Sequence, residues 1–331
     1  MIRLLKSCAQ LRYCTRALQE NLKMSAVSYI QPTKQELKQQ KLSEANLKKA
    51  LDAMEEDGIV VLNNVVDLEH LHLLNQKMLE DLKYLQSRKD APENYNNSNY
   101  QQDPPPFHPY LFRDIIFNEF AIQVTEAVLG KGVKLNFYSG NTAVPSTLRQ
   151  PVHSDSNFQH PNEPFGLVVN IPLITMTPEN GSTEIWPGTH TFTNLHLQEG
   201  KLGVIRRDEL ERRLEISPPL QPVISAGSLV VRDLRLWHAG MPNKSQKPRV
   251  MLAMIHWAPW YKNKMVIEAT KGTEEFFQHP KLKAMVEFKD KVLYLDHPFG
   301  NAYNFQQEDE LEFFWNTSIE SKVFYSHSTM H

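Results

Sequence analysis

The segment that decides the fold of this chain is PVHSDSN, residues 151–157, which sets a histidine and a carboxylate two positions apart. Residues i and i+2 of a strand project from the same face. If the segment is extended, His153 and Asp155 therefore converge, and an imidazole beside a carboxylate favours a metal-binding or acid–base site. The alternative is an ordinary solvated strand face, because a His-x-Asp triplet is short. Of the 13 histidines in the chain, only His153 has a carboxylate at i+2.

A second histidine ends a predicted strand further along the chain. The stretch SAGSLVVRDLRLWHAG, residues 225–240, runs through an apolar strand to His238 and a turn glycine, and KPRVMLAM, residues 247–254, predicts another strand. If the two strands form an antiparallel hairpin closed by the loop MPNKSQ, His238 and Arg249 lie at the same end. Taken singly, His238 is equally consistent with a histidine bound by a backbone carbonyl, and Arg249 with a surface salt bridge.

Together these residues make a coherent metal chemistry. Two neutral imidazoles and one carboxylate on one face of an octahedral ion form the facial triad of non-haem Fe(II) oxygenases, which leaves three positions open. An α-keto acid takes two of them and O₂ takes the last. A bidentate arginine is well matched to the far carboxylate of such a co-substrate, and Arg249 is the candidate.

Composition limits the classes of protein and partner. With 331 residues, of which 41% are hydrophobic, the chain can bury one large core. The net charge of -2 argues against a nucleic-acid or acidic-membrane partner and favours a small molecule. Cys8 and Cys14 are the only cysteines, which excludes a disulfide framework in the body of the protein. The chain has no apolar run long enough for a membrane span.

Local patterns predict helices before residue 130 and short strands after it. Helices are predicted over 34–56, over 67–87 with Asp67 as N-cap, and over 114–129 before Gly130, with a polar loop at 90–109. A charged helical insertion is predicted at 204–216. The predicted strands, which suggest a barrel or jelly-roll sandwich, are 133–139, 148–155, 166–173, 183–186, 221–224, 228–238 and 248–258.

The chain is expected to have three parts: a leader at 1–30, an oxygenase domain at 31–290 that includes the N-terminal helices, and an extension at 291–331. The first two dozen residues are basic, poor in acids and able to form an amphipathic helix, which is typical of a transit peptide. The same letters fit a loose peroxisomal nonapeptide signal, and an untargeted leader is the third interpretation. The expected compartment is therefore cytoplasmic or mitochondrial, with a peroxisomal one as the alternative.

Four pieces in order resemble the phytanoyl-CoA dioxygenase family of Fe(II)/2-oxoglutarate oxygenases: QPVHSD at 150–155, TPENGSTEIWPGTH at 177–190, LWHAG at 236–240 and Pro248-Arg249. The resemblance covers residues 50–265. It implies a mostly β core with flanking helices, folded as a double-stranded β-helix of the cupin-like jelly-roll type. It further implies that iron is held by His153, Asp155 and His238 and that 2-oxoglutarate is held by Arg249.

Two further co-substrate contacts are carried over from the family, Gln150 and Thr183. The alternatives are a strand-edge amide for Gln150 and a β-branched strand residue for Thr183. Asn170 stands where many members of the family have an aromatic residue, so the wall of the co-substrate pocket is expected to differ.

The expected function is an Fe(II)- and 2-oxoglutarate-dependent dioxygenase that uses O₂ to hydroxylate, desaturate or cyclise an unactivated carbon of a small organic molecule in specialised-metabolite biosynthesis. The alternatives are 2-hydroxylation of a branched fatty acyl-CoA and, from another class, a non-catalytic cupin-like binding protein. The substrate pocket is expected to be apolar, roofed by the 90–109 loop, by the aromatic cluster Trp257, Trp260 and Tyr261 and by the chain beyond 290. The alternative for an aromatic cluster is the hydrophobic core, which is the expectation for Trp257. A monomer or a homodimer is expected.

Overall fold

The computed structural model describes residues 27–296 and 303–308. The predicted leader up to residue 26, with both cysteines, lies outside these residues, as does much of the predicted extension beyond 290. The domain boundaries and the compartment therefore stay predictions. Among the described residues, no helix is both long enough and apolar enough to cross a membrane.

The described part of the chain alternates helices with a large set of short strands. The helices are α1 (Lys34–Gln39), α2 (Glu44–Glu56), α3 (Leu68–Ser87), α4 (Arg113–Ile116), α5 (Glu119–Leu129) and α6 (Arg207–Ile216). The strands are β1 (Ser28–Ile30), β2 (Ile59–Leu62), β3 (Glu93–Asn94), β4 (Asn96–Gln101), β5 (Lys134–Ala143), β6 (Gly166–Pro172), β7 (Glu184–Ile185), β8 (Gln198–Glu199), β9 (Val204–Ile205), β10 (Leu229–Asp233), β11 (His238–Ala239), β12 (Arg249–Trp257), β13 (Ile267–Thr270), β14 (Lys283–Ala284) and β15 (Val286–Lys289).

One large sheet forms the frame of the molecule. Within the described residues its order is β1-β2-β10-β6-β12-β5-β4-β3, with β14 beside β5. Smaller pairs, β11 with β7 and β8 with β9, form a second layer, to which His153 is joined by isolated bridges to His238 and Val204. The predicted fold class, a mostly β jelly roll with flanking helices, is confirmed.

Alternate residues of each strand point to opposite faces of the large sheet, so the two faces pack against different parts of the molecule. Leu229 and Val231 of β10 pack in the main core with residues of α3 and α5, such as Leu74 and Phe120. Val230, between them, packs in a separate cluster with residues of the second layer, among them Ile185 and Leu236. The helices therefore cover the outer face, and the inner face is left to enclose a cavity.

Two of the predicted helices are each divided in two, because capping side chains interrupt them. In the predicted helix 34–56, Gln40 adopts a left-handed conformation with φ 49°, and the Ser43 side chain accepts from Asn46 to start α2. In the predicted helix 114–129, Asn118 caps a new start and accepts from Ala121. The helix after Asp67 forms as predicted, and the insertion at 204–216 is helical over α6.

The prediction of a loop over 90–109 is wrong for its first half. Strands β3 and β4 form a hairpin that joins the edge of the large sheet, where Tyr100 pairs with Thr142 of β5. The segment is polar and rich in asparagine, so its sequence predicts a loop. An exposed strand edge on β5 supplies backbone partners that no local pattern reveals.

The predicted hairpin between the strands at 228–238 and 248–258 is also wrong. Strand β10 pairs with β2 and β6, and β12 pairs with β5 and β6, so β6 lies between them. A turn after Asp233 carries the chain into the second layer, where His238 pairs with Ile185. His238 and Arg249 therefore reach the inner cavity from different layers.

Two further predicted strands, 148–155 and 221–224, are reduced to isolated bridges at His153 and Ile224. The single bridge at His153 is enough to set the direction of its side chain. Asp155 lies in a bend just after it, so the argument from strand alternation holds for the direction of these side chains but not for a regular strand.

Candidate metal centre

Three potential ligand groups meet at one point of the cavity. His153 and His238 pair through their backbones, each N–H donating to the other carbonyl at 2.9 Å, and their ring centroids are 4.3 Å apart. Asp155 Oδ1 lies 3.9 Å from His153 Nε2, and Asp155 Oδ2 lies 3.7 Å from His238 Nε2. All three ligand atoms lie within 4.8 Å of one another, so one metal ion can contact all of them.

The backbone selects the tautomer of each histidine. His153 Nδ1 is 2.9 Å from the Pro151 carbonyl oxygen, and His238 Nδ1 is 2.9 Å from that of Leu236. A carbonyl only accepts, so each Nδ1 must carry the hydrogen and donate. The lone pair of each ring is then on Nε2, which is the atom that faces Asp155.

The charge states also suit a divalent ion. Burial lowers the pKa of His153 and lowers that of His238 further below its usual value, which keeps both rings neutral. Burial alone would raise the pKa of Asp155, but the Arg232 guanidinium holds it well below its usual range. The centre therefore offers two neutral nitrogens and one carboxylate, the donor set expected for Fe(II).

Arg232 is a functional residue that the sequence reasoning missed. Its Nη2 donates to Asp155 Oδ2 at 2.7 Å, and its Nε donates to Asn170 Oδ1 at 3.1 Å. Asn170 is fixed in turn by donating to the Leu252 carbonyl. An arginine in the middle of an apolar strand, as in LVVRD, was the available signal, because a buried charge needs a partner.

Arg249 lies deep in the same cavity with an incomplete set of partners. Its side chain is 2% exposed, and its Nη2 donates to the Gly181 carbonyl at 2.7 Å. Its Nε and Nη1 have no hydrogen-bond partner among the described residues. Burial lowers the pKa of Arg249 to about 10, so the guanidinium remains charged at neutral pH. Unpaired buried donors of this kind fit a carboxylate ligand, and the predicted cofactors, Fe(II) with 2-oxoglutarate, fit the residues present.

Gln150 and Thr183, the two remaining predicted contacts, both line the cavity. Gln150 Oε1 accepts from Gly240 N at 2.8 Å, and its Nε2 donates to the Asn94 carbonyl at 3.3 Å. Gln150 thus joins the segment after His238 to the β3–β4 hairpin. Its role as a co-substrate contact, like that of Thr183, stays a prediction.

Tyr95, at the tip of the β3–β4 hairpin, covers the metal centre from one side. Its ring lies 4.4 Å from the His153 ring, centroid to centroid, and its hydroxyl donates to the Leu202 carbonyl at 2.7 Å. The residue adopts φ 67°, which is uncommon for a non-glycine side chain. Tyr95 lies in the 90–109 segment that was expected to roof the pocket, and its ring packs against a ligand histidine.

Apolar side chains make up the rest of the cavity wall. Those from the large sheet include Phe137, Val168, Val230, Met251, Ala253 and Ile255, and Tyr303 and Phe305 come from the C-terminal segment. Trp257 and Tyr261 are core residues, each 1% exposed, and Trp260 is an exposed surface residue. The part of the expected roof drawn from 257–261 is therefore not formed, whereas residues beyond 290 do contribute.

Comparison with known proteins gives a family match and several distant relatives. Residues 54–251 match the family described as Phytanoyl-CoA dioxygenase (PhyH). Dioxygenase af480 of Aspergillus fumigatus is 27% identical over 203 residues, which is 56% of this chain and 62% of that protein. The match thus spans less than two thirds of this relative.

Solved structures were also compared. The crystal structure of AviO1 from Streptomyces viridochromogenes Tue57 has 20% identity and a TM-score of 0.49, covering 66% of this chain and 98% of that one. The epimerase SnoN, in complex with Fe3+, alpha ketoglutarate and nogalamycin RO, has 14% identity and a TM-score of 0.48, covering 65% and 84%. Because the family match takes in more than half of the sequence, this chain belongs to the phytanoyl-CoA dioxygenase (PhyH) family.

Proposed function

We propose that this chain is an Fe(II)- and 2-oxoglutarate-dependent dioxygenase that oxidises an unactivated carbon of a small organic molecule, a specialised metabolite. The observation that carries the proposal is the pairing, in one cavity, of a His-Asp-His cluster with free Nε2 lone pairs and a buried arginine with unpaired donors. Family membership supports the same activity.

Each residue has a definite part in this proposal. His153, Asp155 and His238 hold the ion on one face, and their hydrogen bonds to backbone or to Arg232 keep them in place. Arg249 binds the far carboxylate of 2-oxoglutarate. When bound, the iron with its co-substrate and O₂ supplies decarboxylation of 2-oxoglutarate to succinate and CO₂, coupled to oxidation of a substrate C–H bond.

The apolar wall and Tyr95 exclude water from the place where that bond is broken. Asp155 occupies the position that family halogenases leave open for a halide, which favours hydroxylation, desaturation or ring closure over halogenation.

The acyl-CoA alternative has less support from the charged side chains. A CoA phosphate needs free cations, but Arg206 and Arg212 pair with Asp208 and Glu209, and Arg207 pairs with Glu211. Arg213 donates to the Pro187 carbonyl. The basic stretch of α6 is thus neutralised by its own helix and neighbouring backbone.

The experiment that tests the proposal is anaerobic addition of Fe(II) and then 2-oxoglutarate to the folded protein. We expect the visible metal-to-ligand charge-transfer band of a chelated α-keto acid. Correctly folded, iron-loaded protein that gives no band on adding 2-oxoglutarate would show the proposal to be wrong. Candidate metabolites are then screened for stimulated release of succinate, and a non-catalytic binding protein would bind ligands without releasing any.

A further inference from the structure

We propose that Arg232 binds a carboxylate on the organic substrate, so that the substrate is an apolar molecule with one anionic group. This inference rests on the proposed function and names the substrate class of the same site. It starts from the observation that two buried arginines line the cavity, of which the co-substrate needs only one.

The sheet register separates the two arginines. Arg232 of β10 lies opposite Val168 of β6, which in turn lies opposite Ile255 of β12. Arg249 is six residues from Ile255 on the same strand, so the backbones of Arg232 and Arg249 lie in different rows of the sheet. Because Arg232 contacts Asp155 directly, the metal centre lies beside Arg232. A co-substrate bound by Arg249 would leave the Arg232 guanidinium available to a second anion.

The guanidinium of Arg232 has one nitrogen whose N–H groups are not paired among the described residues. Its Nε and Nη2 are used by Asn170 and Asp155, but Nη1 has no hydrogen-bond partner among the described residues and is buried. A buried N–H without a partner costs free energy, the more so on a charged group. With Nε and Nη2 engaged, the side chain is held in one orientation, so Nη1 can donate to a ligand oxygen without a rotamer change.

Charge balance points the same way. Asp155, Arg232 and Arg249 are the charged side chains among the described residues that line the cavity. With a divalent ion the positive charges number four, whereas Asp155 and the 2-oxoglutarate dianion supply three negative ones. One positive charge is left in the cavity, and a substrate monocarboxylate neutralises it.

The surroundings of Arg232 define the rest of the substrate. Val168 and Ile255 lie in its row of the sheet, and Phe137 and Phe305 lie nearby in the cavity wall, with ring centroids 5.2 Å apart. Among the described residues that line the cavity, Arg249 is the other cationic side chain, and the co-substrate takes it, so no second arginine is left for a phosphate dianion. The site therefore suits a carboxylate attached to an apolar body.

The test uses full-length protein loaded with Mn(II) and saturating 2-oxoglutarate, with 3-phenylpropionate and its uncharged amide as probes. Binding is followed by the Mn(II)-induced broadening of probe NMR signals. We expect the carboxylate to bind about 10-fold more tightly than the amide. R232Q should lose this preference and R232K should keep part of it, whereas R149Q, a half-exposed arginine outside the cavity, should behave as the wild type.

The outcomes separate the two proposals. Wild-type protein that binds Mn(II) and 2-oxoglutarate but prefers neither probe overturns the carboxylate site alone, and so does an R232Q variant that keeps the preference. Protein that binds neither Mn(II) nor 2-oxoglutarate removes both proposals. The wild-type comparison needs no variant, so it holds even if R232Q does not fold, which circular dichroism would reveal.

Discussion

At the residue scale, the geometry of the metal centre depends on the hydrogen bonds that its ligand side chains make. The Pro151 and Leu236 carbonyls fix the histidine tautomers, and Arg232 fixes Asp155, so the three ligands are oriented before any ion arrives. Such preorganisation makes each ligand hard to replace, even by a side chain of the same shape.

The first prediction concerns the ligands. We expect D155N and H238A to lower the affinity for Mn(II) on the order of 100-fold or more, since changes to residues behind metal ligands already cost 10–100-fold. Both should abolish substrate-dependent succinate formation without unfolding the protein. The control is H196A, which removes an exposed histidine outside the cluster. Metal affinity is measured by calorimetry, and full activity in either variant would contradict the triad.

The second prediction concerns Arg249. We expect R249Q to weaken 2-oxoglutarate binding on the order of 100-fold, because it removes a charged bidentate partner worth about 3 kcal/mol. The affinity of R249K for 2-oxoglutarate should lie between those of the wild type and R249Q, since lysine keeps the charge but not the planar guanidinium. The dissociation constants are read from the charge-transfer band, with Fe(II) affinity measured separately. Unchanged 2-oxoglutarate binding in R249Q would exclude Arg249 as the anchor.

At the scale of elements, the turn between β8 and β9 supports the metal ligands from behind. Gly203 has φ 69° and accepts from Ser154 N at 3.0 Å, between His153 and Asp155. A Cβ atom at Gly203 would lie 2.2 Å from the Ser154 carbonyl oxygen. Gly200 has nearly the same φ, 68°, but among the described residues no heavy atom lies within 4 Å of such a Cβ.

These two glycines give a matched prediction. We expect G200A to cost about 1 kcal/mol of stability from backbone strain alone and to leave metal affinity unchanged. G203A carries the same strain and also displaces the backbone at Ser154, so its affinity for Mn(II) should fall about 10-fold or more. Urea unfolding and metal titration measure the two effects. Equal metal affinity in the two variants would show that the turn does not support the site.

A second prediction at this scale concerns Glu36, which joins α1 to α2. Its carboxylate is 4% exposed and accepts from Thr33 N at 2.6 Å and Ser43 N at 2.7 Å. Burial alone would raise the pKa of Glu36, but hydrogen bonds from Ser43 and Thr33 lower it to about 2 from 4.5. A depressed pKa in the folded state stabilises the fold above pH 4.5, and this contribution is lost as the pH falls towards 2.

We therefore expect E36Q to lower the free energy of unfolding by about 2 kcal/mol at neutral pH. The difference from the wild type should shrink as the pH falls from 4.5 towards 2, because Glu36 is then protonated in the unfolded chain while it is still ionised in the folded one. E44Q, which changes an exposed carboxylate in the first turn of α2, should cost less than about 0.5 kcal/mol. The comparison is made by urea unfolding across pH, and a pH-independent difference would rule out the linkage.

At the scale of the whole molecule, the C-terminal segment 303–308 packs beside the chain that follows β12 and contributes to the cavity wall. Asn263 Nδ2 donates to the Asn304 and Gln306 carbonyls at 2.9 Å, which brings Phe305 against the cavity wall. Lys264 makes an ion pair with Glu308 in the same region, but its side chain is 84% exposed.

We expect N263A to speed amide hydrogen exchange in residues 303–308 by about 10-fold, since two hydrogen bonds to the backbone carbonyls of this segment are lost. K264A should change exchange there by less than about threefold, because exposed ion pairs contribute little. Exchange is followed by mass spectrometry on the full chain. If K264A has the larger effect, surface charge and not Asn263 holds the segment.

Some residues of the site could be predicted from the sequence, and others could not. Short motifs, whose order along the chain identifies the family, contain the three metal ligands and Arg249. The sequence therefore predicted these four residues directly. Arg232 could not be predicted, because it belongs to no such motif and acts through a partner distant in sequence, Asp155. Tyr95 was expected as part of the roofing segment 90–109, but its contact with His153 depends on the tertiary structure.

The sequence by itself determined the fold class, the donor set of the metal centre and the start of α3 at Asp67, because each depends on residue chemistry or local spacing. Only the tertiary structure decided that β6 separates β10 from β12, that the polar 93–101 segment becomes an edge hairpin, and that a second arginine faces the cavity. The physical reason is that strand pairing joins distant backbone groups, which are the same in every residue and so leave little trace in the local pattern.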